Sequence, residues 1–427
     1  LNDFDFEKPR ANLKVDTAIT RSHDQSKHLR SDYPGAYTTT AQGTAYARVR
    51  LESLHTADQC ASARSHARRL TTGGLIKLTE HPHAERNREY LIAGAEYTLH
   101  AGGYDSGGGG AAEFACQFTA APSQQPYRSP QITPRPVVHG PHTAFVVGKK
   151  GEEIWTDKYG RVKVQFHWDQ LGKKDENSSC WLRVMQPWAG KKWGAVFLPR
   201  IGHEVVVSFL EGDPDRPLIV GSVYNEDNMP PNALPDQQNK SSIKSNTTKG
   251  GGGFNELTLD DTKDKEEFFL HAQNNFRRVV RNNDTLEVGL EKKDKGDQTV
   301  KIHHDQVIEI GNDGKLTIKK NRTTDVQEND TETIGKEQKV KTGTDMSVDV
   351  GAAYTLKVKT TALIEANSSI ELKVGASSIK IEPGKITLSA PQIAVDAKGQ
   401  AEIKSGGVME VKASGPLSVG GAIVKIN

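Results

Sequence analysis

The sequence predicts a mainly β protein that ends in a β-solenoid or a β-prism, and three observations carry that prediction. Beyond about residue 308, apolar side chains come in pairs two apart, repeated every eight residues, as in SVDVGAAYTLKVKTTALIEANSSIELKVGASS (Ser347–Ser378). Between about 137 and 225, short alternating runs are separated by turn residues, and all five tryptophans (155, 168, 181, 188 and 193) lie there. At 427 residues, 35% of them hydrophobic, the chain is too long for one compact core, and two to four domains are expected.

Charge and cysteine content narrow the function classes. A formal net charge of +2 argues against a dedicated binder of nucleic acid or anionic membrane. No apolar run approaches the eighteen or so residues of a membrane span. Cys60, Cys116 and Cys180 fit neither a disulfide framework nor zinc-ligand spacing, which gives the expectation of buried thiols in a cytosolic protein.

The first region, residues 1–134, mixes helix and strand. TADQCASARSHARRL (Thr56–Leu70) places small and apolar residues at helical spacing and is stopped by Gly73-Gly74. GLIKLTEHP and REYLIAGAEYTLH alternate as strands. GGYDSGGGG (Gly102–Gly110) reads as a flexible loop, and PSQQPYRSPQITPRP (Pro122–Pro136) as an extended linker.

Residues 135–230 read as a small barrel. RVKVQFHW, HEVVVSFL and PLIVGSVY alternate as strands, and EGDPDRP is a tight turn. Five or so short strands in under about ninety residues make the OB-fold the natural candidate. The polar, Pro/Gly/Ser-rich stretch that follows (Asn225–Gly253, with 231–254 taken as linker) has no apolar pattern of its own.

Residues 255–427 carry the repeat. One column holds Ile310, Ile318, Val326, Ile334, Val350, Val358 and Val374; a second, two residues earlier, holds Ile308, Leu316, Val340, Val348, Leu356, Ile364 and Leu372. The register slips near Pro383 and resumes as Val395, Ile403, Val411 and Val419, with Ile393, Ala401, Met409 and Leu417 beside them. Residues two apart share a strand face, so each octad offers two inward side chains and then a corner where glycine accepts unusual dihedrals. So little burial cannot offset the ordering entropy of an isolated segment, and stacked octads must share a core. Three octads could form one coil of a single chain, or three chains could each supply a face. The likeness of all octads favours the trimer. With strands about 4.8 Å apart, about 21 octads would make a rod of roughly 100 Å.

At this point the chain resembles a known family. Its Val-Gly dipeptides (Val288-Gly289, Val350-Gly351, Val374-Gly375, Val419-Gly420) are similar to those that name VgrG, the spike protein of bacterial type VI secretion systems. GEEIWTDKYGRVKVQFHWDQLGKKDENSSCWLRVMQPWAG, LPRIGHEVVVSFLEGDPDRPLIVGSVYN and KGGGGFNELTLDDTKDKEEFFLHAQNNF carry the likeness further. The resemblance implies a homotrimer with a hub-like α+β base, an OB-fold collar and an intertwined triple-stranded β-helix needle. It implies a puncturing spike that sits on a tube of Hcp rings, carries a PAAR-type tip protein and delivers effector toxins across the target membrane. Assembly would take place in the bacterial cytoplasm, before secretion or entry into the target cell. NDFDFEKPRANL corresponds to the middle of the family's hub, so residues 1–134 are expected to be part of it. No effector domain is expected after Asn427.

No catalytic, cofactor or metal constellation is found. HEVVV lacks the second histidine of a metalloprotease helix, VGKKGEE lacks Walker spacing, and no G-x-S-x-G occurs. A non-enzyme is expected. Lysine pairs near the tryptophans fit single-strand binding by an OB-fold, but nearby carboxylates nearly cancel them, so nucleic acid is disfavoured and the tryptophans are read as core or inter-subunit contacts. His303-His304 reads as a corner. The runner-up function is the spike of a contractile phage tail or tailocin. At the C-terminal end Gly415, Leu417, Val419, Gly420, Gly421, Val424, Ile426 and Asn427 are expected to form the platform for the cap, through edge backbone and shape.

Overall fold

Helix α1 (Thr40–Thr56) begins where the Thr39 hydroxyl accepts a hydrogen bond from the Gln42 backbone N–H. The computed structural model describes residues 1–22, 24–102, 111–291 and 296–426. It divides into two units, Leu1–Asp297 and Gln298–Asn427. Most of the expected glycine loop at 102–110 lies outside the described residues.

The helix corrects one expectation, because Thr56–Leu70 does not form an α-helix of its own: only Thr56 and a single 3-10 turn at Ala57–Gln59 are helical. Helix α1 ends where that stretch begins, and Ala61–Ser65 forms strand β1 instead. The buried face of α1 is Gly43, Ala47, Glu52 and Thr56, small or polar residues that leave no apolar stripe to read. Gly43 is small for a reason: a Cβ there would lie 2.5 Å from the Tyr37 ring. Tyr37 is buried with Leu13, Val15 and Ala47, and its hydroxyl donates to the Leu13 carbonyl at 2.6 Å. β1 is held by pairing with a distant strand, which overrides local propensity.

Strands β2 (Leu75–Lys77), β3 (Glu89–His100) and β4 (Glu113–Pro122) complete a four-stranded antiparallel sheet in the order β1-β4-β3-β2. Tyr90, Ile92, Cys116, Phe118 and Ala120 form its core. The proline-rich stretch after β4 is docked rather than free. Arg128 Nε donates to buried Glu52 at 2.8 Å, Gln125 donates to the His55 carbonyl, and Ser53 donates to the Ser129 carbonyl. Arg48 completes the clasp, also 2.8 Å from Glu52. Hydrogen bonds from Arg48 and then Arg128 hold the Glu52 carboxyl below the usual carboxylate range.

The barrel is built from β5 (His142–Val147), β6 (Lys163–Phe166), β7 (Arg183–Val184), β8 (Glu204–Phe209) and β9 (Pro217–Val223). Hydrogen-bonded order is β6-β5-β8-β9-β7, and β7–β9 is its one parallel pair. The sheet closes because Val162 and Leu182, just ahead of β6 and β7, exchange backbone hydrogen bonds of 3.0 and 2.8 Å. Five strands closed in this order, with one parallel pair, are the connectivity of an OB-fold. Ala144, Val146, Val162, Val164, Leu182, Val205, Val207 and Ile219 fill the interior with almost no exposure. EGDPDRP turns as expected, with Glu211 and Gly212 at φ of 55° and 73°.

Two details differ from expectation. No tryptophan enters the barrel core, which removes the first of the two expected roles and leaves that of inter-subunit contact. Trp168, Trp188 and Trp193 are exposed. The branched aliphatics already fill so small an interior, leaving no room for an indole. Of the three thiols only Cys116 is buried; Cys60 and Cys180 are exposed.

The stretch taken as linker also holds a strand. β10 (Lys240–Lys244) pairs with β11 (Glu256–Asp260), which pairs with β12 (Glu267–His271), forming an antiparallel meander across the expected 254/255 boundary. Lys240–Asp260 and Lys244–Glu256 ion pairs, each 3.1 Å, explain how so polar a segment holds a strand.

Candidate assembly interface

The second unit carries the repeat, and its backbone follows the same period. The chain bends every eight residues from 303–304 through 311–312, 319–320 and onward to 367–368. His303-His304 occupies the first of these bends, with His304 paired to Asp305. Between bends the chain is extended. Each member of the first column (Ile310, Ile318, Val326, Ile334, Val350, Val358) stands directly before a bend. The second column (Ile308, Leu316, Val340, Val348, Leu356, Ile364) stands three residues before one.

Two properties make this stretch a candidate interface. The column residues are all exposed: Val350 at 43%, Val358 at 48% and Leu356 at 63% are representative. Among the described residues from 272 to 369, no backbone N–H donates to a backbone carbonyl. Extended chain with a bare apolar face and unpaired backbone groups is half of a structure.

The expected slip near Pro383 has a specific form. Leu372 and Val374, the last members of the two columns, lie in β13 (Ile370–Val374), followed by β14 (Ser377–Glu382) and β15 (Lys385–Ser389) in an antiparallel meander. Bends then resume at 398–399, 406–407 and 414–415. Val395, Ile403 and Val411 now stand three residues before their bends, where the second column stood before. The apolar pair has moved by two residues, an even number, so it keeps to the same strand face.

The chain's last residues are exposed too. Gly415 lies in a bend, Leu417, Val419, Val424 and Ile426 are exposed, and Gly420 and Gly421 fall among them. Asn427 lies outside the described residues. Sequence reasoning missed the 370–389 meander. The signal was there: SSIKIE and KITLS alternate on either side of Pro383-Gly384, with Gly384 at φ 77°. No cluster of three or more metal-ligating side chains occurs among the described residues.

Comparison with known proteins follows the same three-part layout. A phage tail baseplate hub family model matches residues 1–103, and a type VI secretion system/phage-baseplate injector OB domain matches residues 150–224. A bacteriophage T4 gp5 C-terminal trimerisation domain matches residues 241–358, beginning within β10. Type VI secretion system spike protein VgrG1b of Pseudomonas aeruginosa is 48% identical over 68% of this chain and 40% of its own length. VgrG1a of the same organism is 47% identical over 68% and 45%. The actin cross-linking toxin VgrG1 of Vibrio cholerae is 37% identical over 67% and 26%. The chain thus spans less than half the length of these relatives. A solved structure of the E. coli c3393 protein, described as a type VI secretion component similar to T4 tail proteins gp27 and gp5, is 26% identical over 44% of this chain and 45% of that one, with a TM-score of 0.30.

Proposed function

We propose that this chain, a relative of the VgrG spike proteins of type VI secretion systems, acts as a homotrimeric puncturing spike at the tip of the secretion tube. The observation that carries the reading is the second unit. Its eight-residue bends, exposed apolar pairs and unpaired backbone lie in a stretch that matches a trimerisation domain as far as residue 358. Three copies supply what one lacks. Each extended segment pairs with segments of its neighbours, and the apolar columns meet on the threefold axis. The assembled needle then transmits force along its axis with little compliance, because every layer is hydrogen-bonded to the next. The role is mechanical, and no chemistry is assigned to this chain. The Vibrio relative's toxin name describes a protein of which the match takes 26%.

Docking on an Hcp tube at the base, effector carriage, assembly in the bacterial cytoplasm and export toward a target cell belong to the same proposal. The type VI names of the relatives favour this setting over a phage tail or tailocin, whose spike would share the mechanics. Light scattering of the full chain should give three times the chain mass. A monomer with an intact β signal in circular dichroism would replace the trimer with a single-chain solenoid.

Residues 415–426 are proposed as the seat of a PAAR-type cap, since exposed apolar side chains and three glycines offer a surface read by shape. A trimer truncated after Ser414 should lose binding to a cognate PAAR-type protein. Undiminished binding would move the platform elsewhere.

A further inference from the structure

The repeat that makes a threefold needle also makes its alignment ambiguous. Sliding one chain by eight residues past its neighbours brings apolar pairs back opposite apolar pairs and bends opposite bends. A pattern that restores itself specifies register weakly. Something outside the repeat has to choose.

Two segments in the chain are candidates because they pair within one chain and do not repeat. The β13–β15 meander has two dissimilar faces. On one, cross-strand rows Ile370–Ile381–Ile386 and Leu372–Ile379–Leu388 are wholly apolar. On the other, Glu371–Lys380–Thr387 and the Lys380–Glu382 ion pair of 2.8 Å are polar. The apolar face is the bare one. Leu372, Val374, Ile386 and Leu388 on its outer strands are well exposed, and Ile379 and Ile381 on the central strand are exposed as well, while Lys380 and Glu382 on the other face are engaged with each other. Leu388 and Ile393 join Leu372, Val374 and Ile379 around a groove of about 390 Å³ on this face. The β10–β12 meander repeats the plan at the other end of the octads, with rows Ile243–Leu257–Leu270 and Ser241–Leu259–Phe268 on one side.

We propose that the β13–β15 meander is a register clamp, docking its apolar face onto the same face of two further copies of this chain and so fixing the alignment of the octads that lead into it. This rests on the trimer reading above. The occupant is the chain itself because the face is continuous with the surface already argued to be shared. Leu372 and Val374 are at once the last members of both octad columns and the edge strand of the sheet. The meander is also suited to act first. Its contacts are local in sequence, so the sheet can close within one chain before any inter-chain pairing is made.

The test uses the full chain with Cys60→Ser and Cys180→Ser, which remove the exposed thiols, and a nitroxide label on Thr331→Cys within the octads. Leu372→Ser with Ile379→Ser weakens the clamp. Leu356→Ser with Ile364→Ser removes the same two side-chain types from the octads. Each protein is refolded from denaturant, and its mass and inter-label distances are measured. The parent should be a trimer with one distance. The octad pair should keep that distance, while the clamp pair should add a second, longer distance or lose most of its trimer. A clamp pair that refolds in register, or two pairs that fail alike, overturns the clamp. A monomeric parent instead overturns the trimer reading on which it rests.

Discussion

Val350→Lys should abolish the trimer, while Asp349→Lys, one residue away, should leave it standing. In the isolated chain both positions are exposed, so the difference arises only on assembly. Val350 stands directly before the bend at 351–352, in the column proposed to meet on the threefold axis. Threefold symmetry would bring three ammonium groups together there, each losing its hydration without a partner, at a cost of several kcal/mol apiece. Asp349 falls on the opposite strand face, where substitutions usually change stability by about 0.5 kcal/mol or less. Light scattering and thermal melting of the two variants decide the matter. Equal losses would show that the face assignment is wrong.

Leu182→Ala should open the barrel. The side chain is fully buried in the barrel core, while its backbone exchanges the two hydrogen bonds with Val162 that close the cylinder. Truncating a buried leucine costs about 2–5 kcal/mol, from lost transfer energy and the cavity left behind. Leu171→Ala, at a position 91% exposed, is the matched control and should cost little. All five tryptophans lie between residues 155 and 193, so their fluorescence follows this region's unfolding in denaturant. Midpoints that shift equally for the two variants would place Leu182 outside the barrel core.

Legibility in the sequence tracked how each part of the chain buries itself. The strands of the barrel were readable because one face is wet and one dry, so RVKVQF and EVVVSF alternate openly. The octads were readable because a repeat amplifies a thin signal, and the bends at every eighth residue follow that pattern. Helix α1 was not readable. Its buried face is Gly43, Ala47 and Glu52, and the carboxylate is held by Arg48 and Arg128, the latter far away in sequence. Strand β10 was hidden for a similar reason, since Lys240 and Lys244 find their partners only across the meander. The 370–389 meander was obscured by the repeat itself, because Leu372 and Val374 belong to both patterns.

The unpaired backbone of the octads matters before assembly as well as after it. A newly synthesised chain carries this stretch as a long row of open strand edges, each able to recruit any other extended chain it meets. Short apolar windows with strand propensity are the usual seeds of amyloid-like aggregation. Charges interrupt several of these windows: Lys357 and Lys359 around Val358, Glu365 after Ile364, Glu371 and Lys373 around Leu372. In the proposed needle these side chains would face water and add little. Before the proposed assembly they would act as gatekeepers, keeping the open strands soluble.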